Sequence, residues 1–225
     1  MANSMLQVVG LILGIIGFIC IMVTTFVPEW RRNDPTNEVI ELIVRREGIW
    51  SRCIAYPTGL YQCDDFDRFF VGLPGPLQAA RALACLSIAF SLIALVSAMF
   101  GMDCVNCLDN QRTKSRIAIC AGVSWIIAGG CIGSAVSYYS WRVLSEYQRD
   151  TALNVDPSVT YIYGACLFVG WTALIVCFFG GLLTICGSRY AGDEYEDRVS
   201  YRPTPAYGRS SAERVSKPNY NMEYV

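Results

Sequence analysis

The chain has 225 residues, 53% of them hydrophobic and 16% charged, with 18 Lys+Arg against 19 Asp+Glu and no histidine. Without histidine there is no Ser-His-Asp triad, no Cys-His nucleophile pair, no His-bearing zinc site and no haem histidine, so enzyme activity, a cofactor and a metal are not expected. A formal net charge of −1, spread over loops and tail, offers no basic field for nucleic acid, and a mean hydropathy of +0.35 directs the search to membrane spans.

Four charge-free runs follow in chain order. The first covers residues 6–27, from Leu6 to Val27: 22 residues, roughly 33 Å as a helix, enough to cross the hydrocarbon layer. Met1 to Met5 has no Lys or Arg, and Phe26-Val27-Pro28-Glu29 is a poor cleavage site, so the run is expected to stay in the mature protein rather than leave as a signal peptide.

Residues 28–81 are too many for a structureless link. Strands are expected at Glu38–Val44, Gly48–Ala55 and Gly59–Phe66, with Arg45-Arg46-Glu47-Gly48 and Tyr56-Pro57-Thr58-Gly59 as turns, giving an antiparallel meander. Such a small sheet buries too little area to stand alone. Its two cysteines, Cys53 and Cys63, suit an oxidising compartment. Joining them across the Pro57–Gly59 turn would add on the order of 3 kcal/mol by chain entropy. The loop is then extracellular, and an even number of spans leaves both termini cytoplasmic. The Lys+Arg distribution, nine on that side against eight on the other, barely discriminates.

The second span is expected at about 82–100, headed by Arg81, which either ties the loop to the bundle through a carboxylate or carbonyl or snorkels to the interface. A cytoplasmic loop, 101–116, holds Cys104-Val105-Asn106-Cys107. A CxxC invites redox or zinc chemistry, but in a reducing loop with no second pair the better reading is palmitoylation of Cys104 and Cys107, with Cys186 alongside. The third span is expected at 117–137 and the fourth at 162–186, flanking a second extracellular loop, 138–161. Cys20, Cys85, Cys120, Cys131, Cys166 and Cys177 lie within spans and read as small packing residues. Gly10 with Gly14, Gly129 with Gly133, and Gly180-Gly181 provide the close approach by which helices associate in lipid. The expected fold is therefore membrane α+β, a left-handed four-helix bundle carrying an extracellular antiparallel sheet built mainly from the first loop. The tail, 187–225, is polar, contains Pro203, Pro205 and Pro218, and is expected to be disordered.

Trp30, then Gly48-Ile49-Trp50, then Cys53 and, ten residues on, Cys63 resemble the W…GLW…C…C signature of the claudin family, with Ile49 where Leu is usual. Arg81, the span order and the terminal Glu223-Tyr224-Val225 strengthen the resemblance, which covers the whole chain. It implies a structural component of tight junctions in the plasma membrane, polymerising with itself and other claudins in cis and in trans into a paracellular barrier or a charge-selective channel. The alternative is an accessory subunit of a channel or receptor, since the wider tetraspan superfamily shares the GLW and cysteine core. Asp64, Asp65 and Asp67 resemble the position where cation-selective claudins line the pore, although the first loop sets eight acids against six bases and some of these carboxylates are open to pairing. The second loop departs from its relatives: Glu146-Tyr147-Gln148-Arg149 stands where many claudins carry two aromatics and a proline, leaving Tyr147 as the candidate contact. The terminal Glu223-Tyr224-Val225 has the free carboxylate and apolar last side chain that a PDZ groove captures, which implies junction scaffold proteins as partners.

Overall fold

The computed structural model describes residues 2–33, 43–65, 75–101, 111–152 and 161–200. Four helices, α1 (Ala2–Phe26), α2 (Gly75–Gly101), α3 (Gln111–Ala152) and α4 (Ala165–Ser200), are each long and apolar enough to cross a membrane. Helix α3 packs on α2 and α4, and α1 packs on α4 and less extensively on α2.

The bundle is held together by small residues. Helix α2 buries Ala80, Ala84, Ser87, Ser91, Ala94 and Ala98 at intervals of three and four, one stripe of a 3.6-residue period. Ser87 Oγ donates to the Ala128 carbonyl of α3 at 2.8 Å, satisfying its hydroxyl across the helix pair. Gly10, Gly14 and Gly180 bring α1 against α4 so closely that a Cβ on Gly180 would lie 3.2 Å from the Gly10 carbonyl oxygen. Trp125 of α3, fully buried, fills the centre against Gly14, where a Cβ would sit 2.6 Å from its ring. Large apolar side chains such as Ile12, Ile19, Ile93 and Phe179 point outward, as a lipid-facing surface requires.

At one end of the bundle lies a five-stranded antiparallel sheet: β1 (Arg31–Asn33), β2 (Val44–Glu47), β3 (Ser51–Ala55), β4 (Tyr61–Asp65) and β5 (Tyr161–Tyr163), in the order β4-β3-β2-β1-β5. The Pro57–Gly59 turn lies where the sequence places it. Gly59 adopts φ +82°, which favours glycine, and donates to the Tyr56 carbonyl at 3.0 Å.

Several boundaries differ from those read in the sequence. Arg45-Arg46-Glu47 is strand, not turn; the reversal falls on Gly48-Ile49-Trp50, closed by Gly48 N–H donating to Ser51 O at 2.9 Å. Helix α2 begins at Gly75, so Arg81 lies inside it. Helix α3 is 42 residues long, roughly 63 Å, about twice the hydrocarbon thickness. It runs through most of the expected second loop. Residue 161, expected as the end of the second loop, and residues 162 and 163, expected as the start of the fourth span, are instead strand β5, whose Tyr-Ile-Tyr composition suits a pleated surface, and the helix begins only at Ala165. Helix α4 continues to Ser200, past Gly187, where disorder was expected to begin. Cys166 and Cys177 are buried packing residues, but Cys85 and Cys120 lie on the outer surface of the bundle rather than in its interior. Most of the strand expected at Glu38–Val44, together with Asp67, Cys104, Cys107, Glu223, Tyr224 and Val225, lies outside the described residues.

Candidate functional site

The residues singled out in the first loop converge on the joint between sheet and bundle. Trp30 is fully buried and is therefore a core residue. Its indole N–H donates to the Thr24 carbonyl at 2.7 Å, and its ring meets Tyr139 of α3 edge-on at 5.2 Å. Trp30 also extends the ladder on both sides, its N–H donating to Glu47 O and its carbonyl accepting from Gly164 N–H. The Gly48-Ile49-Trp50 turn presses against the chain leaving α1. A Cβ on Gly48 would lie 2.6 Å from Pro28 Cα, and Ile49 is buried. Arg81, itself buried, donates from Nε to the Ile49 carbonyl at 2.7 Å, with its guanidinium 5.0 Å from the Trp50 ring centroid. The tie from α2 therefore ends on a carbonyl. Cys53 and Cys63 are directly opposite in the β3–β4 register and form a disulfide.

The register also places a row of charges across the sheet. Tyr163, Arg31, Glu47, Arg52 and Asp64 are successive cross-strand partners from β5 to β4, and partners directly opposite share a face. Four consecutive positions thus alternate in sign. Glu47, with a side chain only 8% exposed, is held by Arg31 through Nη2 at 2.6 Å and Nε at 2.8 Å to the same oxygen. Its other oxygen accepts from the Tyr161 hydroxyl at 3.4 Å and faces Arg52 Nε at 3.6 Å. Arg31 lies 4.4 Å from the Tyr161 ring centroid and 3.6 Å from Glu146 of α3, which also meets Arg142 one turn back. Burial acts to lower the Arg31 pKa, but Tyr139 and Glu47 outweigh it and hold the guanidinium above its ordinary value. The Tyr161 hydroxyl is likewise raised, first by burial and then by the Glu47 charge, which disfavours a second anion beside it.

Helix α3 meets this face at β5 and, through Glu146, at Arg31 of β1. The β3–β4 half is open: Arg52 is 52% exposed, and every residue of β4 is exposed. Asp64 sits here, directly across from Arg52. Asp65 pairs with Ser51, one residue on, and therefore points to the opposite face, which it shares with the disulfide, Arg32 and Arg46. Arg46 is bound there to Glu29. The structure therefore separates two carboxylates that the sequence groups together. Tyr147 stands on the α3 overhang, 49% exposed.

Sequence reasoning missed Arg31, Glu47, Arg52, Glu146 and Tyr161 as a unit. Their numbers are far apart, and the signal that joins them is the strand register. The Tyr161-Ile162-Tyr163 run, two aromatics around a β-branched residue, is the one local clue.

Comparison with known proteins agrees with this architecture. Residues 4–184 match the family model described as PMP-22/EMP/MP20/Claudin. Claudin-1 of Mus musculus is 33% identical over 213 residues, covering 93% of this chain and 99% of the relative. Claudin-19 of Homo sapiens is 32% identical over 208 residues, covering 92% and 91%, and Claudin-7 of Mus musculus is 29% identical over 217 residues, covering 95% and 99%. With a model match that runs from the first span into the fourth, and relatives aligned over nearly their full length, the chain belongs to the PMP-22/EMP/MP20/Claudin family.

Proposed function

We propose that this protein is a claudin-like structural component of tight junctions whose sheet, on the extracellular side, forms part of the wall between cells. The observation that carries the reading is the disulfide-bonded sheet at one end of a membrane-length bundle, with a charged and exposed β3–β4 half. Nothing in this arrangement requires turnover. Molecules assemble side by side in one membrane and face those of the next cell, and fixed charges on the open sheet favour or repel ions in a narrow, partly dehydrated passage. With acids outnumbering bases in the first loop, cation preference is the direction favoured over a tight barrier.

Both termini then lie in the cytoplasm. Glu223-Tyr224-Val225 binds PDZ scaffolds, Cys104, Cys107 and Cys186 are acylation sites, and Tyr147 on the α3 overhang is the second-loop contact for a neighbouring cell. Expression in cells that lack junction strands tests the whole reading. Strand networks at cell contacts with altered transepithelial conductance support it; protein dispersed over the surface, with conductance unchanged, favours an accessory subunit that docks one channel or receptor through the same sheet.

A further inference from the structure

The charge row assigns a role to a residue that an acidic-cluster argument overlooks. Asp64 resembles a pore carboxylate by position, yet the residue directly across the β3–β4 ladder is a cation, Arg52. Opposed side chains on adjacent strands have Cβ atoms about 4.5–5.5 Å apart, close enough for charges to act on each other. Glu47 cannot absorb Arg52 fully. Its buried carboxylate is already committed to Arg31 at 2.6 Å, and Arg52 reaches it only at 3.6 Å from a position half open to solvent. Among the described residues, the neighbours of Asp64 two along this face, Gln62 on its own strand and Ile54 across from Gln62, carry no charge.

We propose that Arg52 is the specificity-determining residue of the open face, cancelling there the field of Asp64 across the ladder. This inference rests on the paracellular reading above and deepens it. Arg31 and Glu47 cancel beneath the α3 overhang, and Arg52 and Asp64 cancel on the open half, so the row is neutral as a whole. Loss of Arg52 leaves Glu47 neutralised and uncovers Asp64, shifting the face by one negative unit. Loss of Asp64 shifts it by one positive unit.

The test is a set of dilution potentials on epithelial layers expressing the full chain, with surface delivery measured by biotinylation. R52Q is expected to raise the sodium-to-chloride permeability ratio about two- to fivefold, the range set by one unit charge about 4 Å from an ion in a wet passage. D64N is expected to lower it by a similar factor, and R52Q with D64N to return it close to the parent. R52K, which keeps the charge, is expected to leave the ratio unchanged. R52M, which keeps the aliphatic stem, replaces R52Q should the glutamine variant fail to reach the surface. A surface-delivered R52Q or R52M with the parental ratio, or with a shift toward chloride, overturns the assignment of Arg52 while leaving the junction reading intact. A parent chain that forms no strands and leaves conductance unchanged overturns both.

Discussion

Arg81 and Ile49 are 32 residues apart in sequence and 2.7 Å apart in space, the guanidinium Nε of α2 donating to the carbonyl at the tip of the β2–β3 turn. A loop reversal is thereby fastened to a membrane helix by a charge-assisted hydrogen bond, with the Trp50 ring beside the cation. Lysine has no planar fork and cannot make both contacts. Arg81→Lys is expected to cost about 1–2 kcal/mol and Arg81→Ala more, because the buried Ile49 carbonyl then loses its donor. Thermal unfolding of detergent-solubilised protein checks the order parent, Lys, Ala.

Gly164 is the tightest point of the second-loop return. Its N–H donates to Trp30 O, and any Cβ on it would overlap the Glu29 carbonyl. Gly164→Ala forces β5 away from β1 or the chain away from α1, a cost of about 1–3 kcal/mol or more for overpacking at a site with no room to give. Surface delivery should fall, whereas Gly75→Ala, at a glycine with open space around it, should leave it unaltered.

Glu47 is the buried centre of the charge row. Glu47→Gln takes from Arg31 its nearest carboxylate, but the guanidinium is 25% exposed and still faces Glu146 at 3.6 Å, so the loss is expected to be about 2 kcal/mol, below the 3–5 kcal/mol of a fully buried pair. A double-mutant cycle with Arg31→Gln, read by thermal unfolding, should return a coupling energy above about 1 kcal/mol; additive losses would show that the two side chains act independently.

Cys53→Ser should cost about 3 kcal/mol through the freed β3–β4 turn. It also reports orientation. The Cys63 thiol left behind should react with a membrane-impermeant maleimide added to intact cells, and reaction only after permeabilisation would turn the molecule over and remove the paracellular reading.

Asp64→Asn and Asp65→Asn are expected to differ. Asp64 lies on the face of Arg52 and Asp65 on the face of the disulfide, so a passage lined by the charge row responds to the first substitution and little to the second. Equal effects on ion selectivity would mean that both faces meet the ion path.

Local sequence patterns revealed the parts of this fold that depend on composition and on near neighbours. Charge-free runs located all four helices, because crossing lipid imposes a length and a chemistry on each segment separately. The Pro57–Gly59 turn and the Cys53–Cys63 pair were legible for the same reason: their partners lie no more than ten residues apart. Helix ends were less so, since α3 continues as a helix well beyond the hydrophobic stretch, held by Arg31 to Glu146 and by Tyr163 Oη to the Ser140 carbonyl, contacts that no window of sequence contains. The β2–β3 reversal was misplaced because Arg45-Arg46-Glu47 is polar, yet Glu47 is buried through a partner sixteen residues upstream. Grouping Asp64 with Asp65 failed on the elementary alternation of a strand, which sends adjacent side chains to opposite faces.

Strand β5 comes from the second loop, yet it completes the first-loop sheet by pairing Arg31, Arg32 and Asn33 with Tyr163, Ile162 and Tyr161. The two exposed segments are therefore not interchangeable modules. A chimera that grafts the second loop of a relative onto this chain also replaces one edge of the platform bearing the first, so altered permeability in such a graft reports a reshaped platform as readily as a lost adhesive contact. Grafts that keep 161–164 native and exchange only the residues before them would separate the two causes.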